Sequence, residues 1–244
     1  MKKLIALVAL AIAAPAFAEP DAYFMVSVLE PAQLPTKTSV VAGARIGAIY
    51  GVAQRVYGID IGLIGAGRVY ETACGLQIGG LNISDGTGSG LQFGLYGNSV
   101  SDSYDGAQIG IYNGTGGCMS GFSLGLLSFH EETAGFEVAA YQRAGVLEGA
   151  QFGGVNVATH GAGAQIGAFN RAGARFGKTK SIETPIEDFD GAQIGLWNRA
   201  DRIDGFQFGI VNTANSLNGL QIGLVNVADN GSWAKTMPFA NWRF

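Results

Sequence analysis

Three stretches near the C-terminal end of the chain decide its fold. Residues 191–198 read Gly-Ala-Gln-Ile-Gly-Leu-Trp-Asn, residues 205–212 read Gly-Phe-Gln-Phe-Gly-Ile-Val-Asn, and residues 219–226 read Gly-Leu-Gln-Ile-Gly-Leu-Val-Asn. They begin 14 residues apart. We number the first glycine of each unit as position 1, so that glutamine stands at position 3 and asparagine at position 8. Self-similarity at a fixed short period is typical of a repeat architecture.

The same unit recurs along most of the chain. Twelve exact or looser copies start 14 to 17 residues apart, except for one double step of 28 residues from Gly163 to Gly191. We interpret residues 173–177 in that step as a degenerate copy, and the charged, proline-bearing stretch at about 178–190 as an inserted surface loop. The copies start at Gly43, Gly58, Gly75, Gly90, Gly106, Gly121, Gly135, Gly149, Gly163, Gly191, Gly205 and Gly219.

The pattern inside each unit predicts an all-β protein. Apolar residues at positions 2, 4 and 6 alternate with the glutamine at position 3, which is the period of a strand. Isoleucine, valine and aromatic residues favour strands, and two glycines per 14 residues disfavour a helix. Two architectures use such units. The sequence favours a β-solenoid with coils of 14–17 residues, and the alternative is an antiparallel meander closed into an outer-membrane β-barrel.

The asparagine at position 8 favours the solenoid. Parallel, in-register stacking places identical amides above one another, where they can form a ladder, whereas an antiparallel meander does not demand the same amide in every strand. The apolar band of positions 2, 4 and 6 would also span only about 13 Å, which is short for a lipid-facing strand. The members of the predicted amide ladder are Asn82, Asn113, Asn156, Asn170, Asn198, Asn212 and Asn226.

A solenoid built from these units carries further expectations. Positions 2, 4 and 6 fill its interior, and the glycines at positions 1 and 5 form sharp corners with positive φ. Cys74 and Cys118 lie about three coils apart, near 14 Å at about 4.8 Å per coil, so we expect no disulfide between them.

Aromatic residues at position 7 form a candidate binding stripe. In stacked coils they would lie on the glutamine face, where aromatic rings can bind sugars or peptides by stacking. The alternative interpretation is lateral packing, in a dimer or against the inserted loop. The stripe consists of Tyr96, Tyr112, Tyr141, Phe169 and Trp197.

The two ends of the chain differ from the repeats. Residues 1–18 combine two lysines, a short apolar run and a small-x-small end, which is the pattern of a cleaved signal peptide and predicts export. Residues 19–42 are interpreted as an extended lead-in or cap, and residues 43–232 as the repeat domain. Residues 233–244 end in phenylalanine and would form either an aromatic cap on the last coil or the closing strand of a barrel.

Charge and reactive residues narrow the function. Without the signal peptide the chain has 13 basic and 19 acidic side chains, a net charge of −6, which argues against nucleic acid as a partner. His130 and His160 fall in stretches that we interpret as solvated turns between repeats, and no nucleophile is paired with either. We therefore predict no catalytic site, no metal and no cofactor.

The repeat resembles an uncharacterised family of secreted surface-repeat proteins of Gram-negative bacteria. The likeness rests on residues 219–226, on the Pro-Ala-Gln-Leu-Pro segment at 31–35, on the Gly-Ile-Asp-Ile-Gly variant at 58–62 and on the tail at 238–244. It covers nearly all of the mature chain and implies a surface or outer-membrane location and no known enzymatic activity. The 14-residue period also resembles the head repeats of trimeric autotransporter adhesins, but the stalk and anchor of that family are missing.

The functional expectation is an exported, non-enzymatic repeat protein with a structural or binding role. We expect it at the outer membrane or cell surface of a Gram-negative bacterium, with the periplasm as a further location. Its expected partner is a glycan, a protein or another copy of itself. The alternatives are an integral outer-membrane barrel acting as a pore and a periplasmic enzyme.

Overall fold

The computed structural model describes residues 20–173, 188–231 and 233–244. The predicted signal peptide at 1–18 and residues 178–187 of the predicted loop lie outside that part of the chain. Within it the structure contains strands and no helix. The strands are β1 (Ala22–Leu29), β2 (Ala32–Leu34), β3 (Val40–Gly47), β4 (Tyr50–Gly62), β5 (Ala66–Ser84), β6 (Thr87–Val100), β7 (Tyr104–Ala172), β8 (Asp188–Ala228) and β9 (Thr236–Arg243).

The chain divides into two compact units, unit 1 (Met1–Gly125) and unit 2 (Leu126–Phe244). In unit 1, β3, β4, β5, β6 and the start of β7 pair parallel in chain order, and the pairing matches repeat positions, as in Gln77 with Gln92. In unit 2, the end of β7 and the start of β8 pair parallel, with Gln165 opposite Gln193. Each repeat is therefore one coil of a β-solenoid, as predicted, and the antiparallel meander is wrong.

The double step is an insertion between two coils that stack directly. Gly163 pairs directly with Gly191. Residues 174–177 of the predicted degenerate copy lie outside the described part of the chain. The predicted loop also extends three residues too far, because 188–190 begin β8. Phe189 is fully buried two residues before Gly191, at the place that Ile203 and Leu217 take before the next two glycines.

The interior of each coil is formed by positions 3, 8, 10 and 13, and this overturns one expectation. Positions 4 and 6 point outward, as Phe208 (51% exposed) and Leu224 (61% exposed) show, whereas Gln207 and Asn212 are fully buried. Alternation separates the two sides of a strand but does not say which side becomes enclosed. The apolar core of unit 2 comes from positions 10 and 13, namely Ala144, Leu147, Ala158, Ala172, Phe189, Ala200, Ile203, Ala214, Leu217 and Ala228.

The core of unit 1 has the same origin with more varied residues. Met25 belongs to β1, which pairs parallel with β3 and so adds a partial coil before the first repeat. The buried apolar residues of unit 1 form two clusters, Met25, Val41, Ala53, Val56, Val69 and Ala73 in one, and Val100, Tyr104 and Met119 in the other.

The repeat glycines serve two different purposes. All twelve glycines at position 1 have φ between 108° and 150°, which confirms the prediction for that position. The position-5 glycines do not share this backbone, so the prediction is wrong there. At Gly195 the reason is close packing, because an added Cβ would clash with the carbonyl oxygen of Gly167 and approach Asn170 Nδ2 to 2.6 Å.

Antiparallel strands lie at the chain ends of both units. In unit 1, β2 pairs antiparallel with β1. In unit 2, β9 pairs antiparallel with the last coil of β8, from Gly219 opposite Arg243 to Val227 opposite Thr236. Cys74 and Cys118 form no disulfide with each other, as predicted. No helix long and apolar enough to cross a membrane occurs among the residues for which a structure is described.

Candidate interaction surface

The position-8 asparagines of unit 2 form a continuous hydrogen-bonded column. Asn156 Nδ2 donates to Asn170 Oδ1 at 2.7 Å, and each asparagine donates in turn to the next at 2.8 Å as far as Asn226. Asn198 Nδ2 also donates to the Phe208 carbonyl at 2.9 Å. Parallel stacking therefore gives each buried amide a partner in the neighbouring coil, which offsets the cost of burying it.

Unit 1 contains the same column and one member that the repeat count misses. Asn82 Nδ2 donates to Asn98 Oδ1 at 2.8 Å, and Asn98 Nδ2 donates to Asn113 Oδ1 at 2.9 Å. Asn98 stands one place late because its coil carries an extra residue, absorbed by a register shift between Gly94 and Gly97. In the sequence, the signal for this column member was an asparagine one place after the expected position 8.

The position-3 glutamines form a second column that runs the opposite way. In unit 2, Gln165, Gln193, Gln207 and Gln221 each donate from Nε2 to the glutamine of the preceding coil, at 2.7 to 2.9 Å. The asparagines donate toward the C-terminal end and the glutamines toward the N-terminal end. The side-chain dipoles of the two columns therefore oppose each other inside the coil.

A carboxylate stands at the N-terminal end of each glutamine column. Gln151 Nε2 donates to Glu137 Oε2 at 2.8 Å in unit 2, and Gln77 Nε2 donates to Asp60 Oδ2 at 3.2 Å in unit 1. A column that donates toward its N-terminal end needs an acceptor there, and a carboxyl oxygen provides one. Asp60 is also ion-paired with the buried Arg45, whose Nε donates to Asp60 Oδ1 at 2.7 Å.

Glu137 is part of a buried polar cluster in unit 2. Thr133 Oγ1 donates to Glu137 Oε1 at 2.6 Å, and His130 Nε2 lies 3.3 Å from the same oxygen. The expectation of a solvated His130 is wrong, because His130 takes the inward position 10, where later coils have alanine. His160 is half-buried. Among the described residues, no group of three or more His, Cys, Asp or Glu side chains could hold a metal ion.

Burial shifts the pKa values of the two titratable groups of this cluster in opposite directions. It lowers the pKa of His130 to about 4, so the folded state holds the ring neutral. It also raises the pKa of Glu137, against the opposing effect of hydrogen bonds from Thr133 and Gln151. Burial in this interior therefore disfavours the charged form of each group.

We expect His130→Ala to flatten the acid side of the stability profile. The folded pKa of about 4 lies below the unfolded value near 6.5, so the stabilising contribution of a neutral His130 is complete above pH 6.5 and is lost as pH falls toward 4. The loss amounts to about 3 kcal/mol across that window. Urea unfolding followed by circular dichroism at several pH values measures the slope, which is independent of any constant cost of the cavity.

Glu137→Gln is the matched variant, because the stability contributed by Glu137 depends on pH in the opposite sense to that of His130. Because the folded pKa of Glu137 is raised, its stabilising contribution is present below the unfolded pKa and is lost as pH rises. The glutamine restores the repeat residue, so stability at neutral pH should increase and the acid slope should persist. An acid slope unchanged by His130→Ala would contradict a buried neutral histidine.

The outward positions of unit 2 form an exposed apolar surface, which we call the apolar face. It comprises positions 4, 6 and 7 of three successive coils, and eight of its nine side chains are 36–61% exposed. None of the nine carries a charge. The members are Ile194, Leu196, Trp197, Phe208, Ile210, Val211, Ile222, Leu224 and Val225.

Charged and amide side chains of the same coils lie at other positions. Asn218 donates to Asp204 at 2.8 Å, and both belong to the exposed position 14. Arg202 donates to Asp188 at 3.3 Å in an exposed ion pair. The apolar side chains are therefore segregated from the charged and amide side chains of the same coils, which is the arrangement of an interaction surface rather than of scattered surface residues.

The position-7 aromatics lie outside the coils, so the expectation that they share a face with the glutamines is wrong. In unit 1, Tyr96 is 62% exposed, and Tyr112 is also exposed. In unit 2, Phe169 and Trp197 are each about half exposed, with ring centroids 6.4 Å apart at an interplanar angle of 47°. Tyr141 is half-buried with its ring 5.7 Å from that of Phe129. The chain bends between positions 3 and 8, which turns both positions 6 and 7 outward.

No family model, curated protein or solved structure matches this chain.

Proposed function

We propose that this chain is an exported, non-enzymatic repeat protein of the outer membrane or cell surface of a Gram-negative bacterium, with a structural or binding role. The observation that carries the proposal is the placement of apolar side chains on the outside of the coils, with amides inside. Large exposed apolar patches bordered by polar residues are typical of sites that bind proteins, ligands or membranes. The predicted signal peptide supports export.

The interior supports the non-enzymatic part of the proposal. His130 and Glu137 form a close titratable pair, yet both side chains are fully enclosed. Each interior amide of the asparagine column donates to a neighbour, and the glutamines do the same. A catalytic group must reach its substrate, and these groups hold the coils to one another instead.

Replacing two residues of the apolar face tests the binding role. Leu196→Ser with Leu224→Ser changes position 6 in two coils, and Asp204→Ser with Asn218→Ser changes the polar position 14 as a matched control. We expect wild type and control to be found with the outer membrane and to be cleaved when intact cells are treated with protease. The face variant should be recovered in the wash, because the apolar contact on which its retention depends, to another protein or to a second copy of this chain, is weakened.

The readout is the fraction of protein retained after cell fractionation, with circular dichroism showing that each variant is folded. Equal retention of wild type and face variant would count against a binding role for this face. A wild-type chain protected from protease on intact cells, and recovered with the soluble proteins, would count against the surface location.

A further inference from the structure

We propose that the apolar face of unit 2 is covered by the same face of a second copy of this chain, in a closed, twofold dimer. This rests on the proposed binding role of the face and names its occupant. The argument depends on the area of the face, its regular spacing and the protection of the strand edge beside it.

The area of the face fits a dimer interface. A fully buried aromatic side chain accounts for about 150–250 Å² and an aliphatic one for somewhat less, so the nine residues near half exposure present at most roughly 700 Å². A stable protein–protein interface takes about 800 Å² from each partner. Phe169, half exposed and in contact with Trp197, extends the surface by one more coil. Patches of this size exceed what most monomers expose.

The spacing of the face is self-complementary. Positions 4, 6 and 7 repeat in each coil, and the asparagine and glutamine columns hold the three coils of the face in register, so equivalent apolar side chains lie above one another. A second copy has columns with the same separation, and the ridges of one face can lie in the grooves of the other, as in packed sheets about 10 Å apart. The net negative charge of the chain does not oppose this contact, because no charged side chain belongs to the face.

The strand edge at the C-terminal end of unit 2 is not the route of association. β9 already pairs with the last coil, and its outer part carries the exposed Pro238 and Arg243, which disfavour further strand addition. Head-to-tail addition at that edge would give an open fibre. Pairing of two identical faces about a twofold axis gives a closed dimer instead.

Sedimentation velocity of the mature chain over a wide concentration range tests the dimer. We expect the wild type to sediment as a dimer. Leu196→Glu with Leu224→Glu should be monomeric, with the dissociation constant raised at least about 100-fold, because unpaired carboxylates would be buried at the interface. Asp204→Ser with Asn218→Ser should remain dimeric, and circular dichroism should show the same fold in all three proteins.

Two results would overturn the dimer: a wild type that is monomeric at every concentration, or a folded glutamate variant that still dimerises. If the monomeric wild type also co-sediments with phosphatidylcholine vesicles, a lipid surface is the occupant of the face. A monomeric chain whose face variant still leaves the cell surface would remove the dimer and keep the binding role, so the two proposals can fail separately.

Discussion

Asn198→Ala is expected to lower the free energy of unfolding by about 3–5 kcal/mol. The substitution removes a fully buried amide that accepts from Asn170 Nδ2 and donates to both Asn212 Oδ1 and the Phe208 carbonyl, each at 2.8 to 2.9 Å. Each buried polar group left without its partner costs about 1–3 kcal/mol, and the vacated volume adds a cavity term. Urea unfolding followed by circular dichroism measures the change.

Asn218→Ala is the matched control, because it removes the same side chain from an exposed position. Asn218 donates to Asp204 at 2.8 Å in water, so its loss should change stability by less than about 0.5 kcal/mol. Asn198→Leu separates hydrogen bonding from volume, since it nearly keeps the side-chain volume and removes both the donor and the acceptor. If Asn198→Ala and Asn218→Ala cost the same, the asparagine column does not stabilise the coil.

Gly75→Ala is expected to destabilise unit 1 by at least about 3 kcal/mol. Gly75 has φ of 121°, a conformation that costs an alanine about 1–3 kcal/mol, and the added Cβ would clash with the Gly58 carbonyl oxygen of the neighbouring coil. The clash is with backbone, so it can be relieved only by separating two paired coils. The thermal unfolding midpoint should fall clearly below that of the wild type.

Gly62→Ala provides the control in the same unit. The nearest atom to its added Cβ is 3.6 Å away, which is ordinary contact, and its φ lies outside the left-handed region. Its free energy of unfolding should change by no more than about 0.5 kcal/mol, as for a neutral surface substitution. Equal destabilisation by the two alanines would show that glycine content, rather than the position-1 backbone, determines coil stability.

The asparagine column illustrates what was predictable from local spacing. An amide recurring at position 8 in most units indicated in-register stacking, and Asn156, Asn170, Asn198, Asn212 and Asn226 do stack in unit 2. Asn98 was missed because counting from the first glycine assumes a constant coil length, and its coil is one residue longer before the asparagine. Column membership depends on the register in space, which insertions shift.

The buried His130 and Glu137 show the opposite case. The sequence did not predict either as an interior residue, because charged or titratable side chains are usually exposed to solvent. Glu137 stands at position 3, where the glutamine column needs an acceptor at its donor end, and Gln151 uses it. The departure from glutamine at that position was the only sequence signal, and its meaning required the direction in which the amides donate.

By itself the sequence determined the period and the strand structure, and it favoured parallel stacking over an antiparallel meander, because in-register coils place the recurring amides and glycines above one another. Only the tertiary structure decided which side of each strand is enclosed. The coil closes around its amides because stacking gives each of them a partner, and it leaves Leu196, Phe208 and Leu224 outside. The surface proposed for binding is therefore a consequence of coil closure, which no alternation of residues specifies.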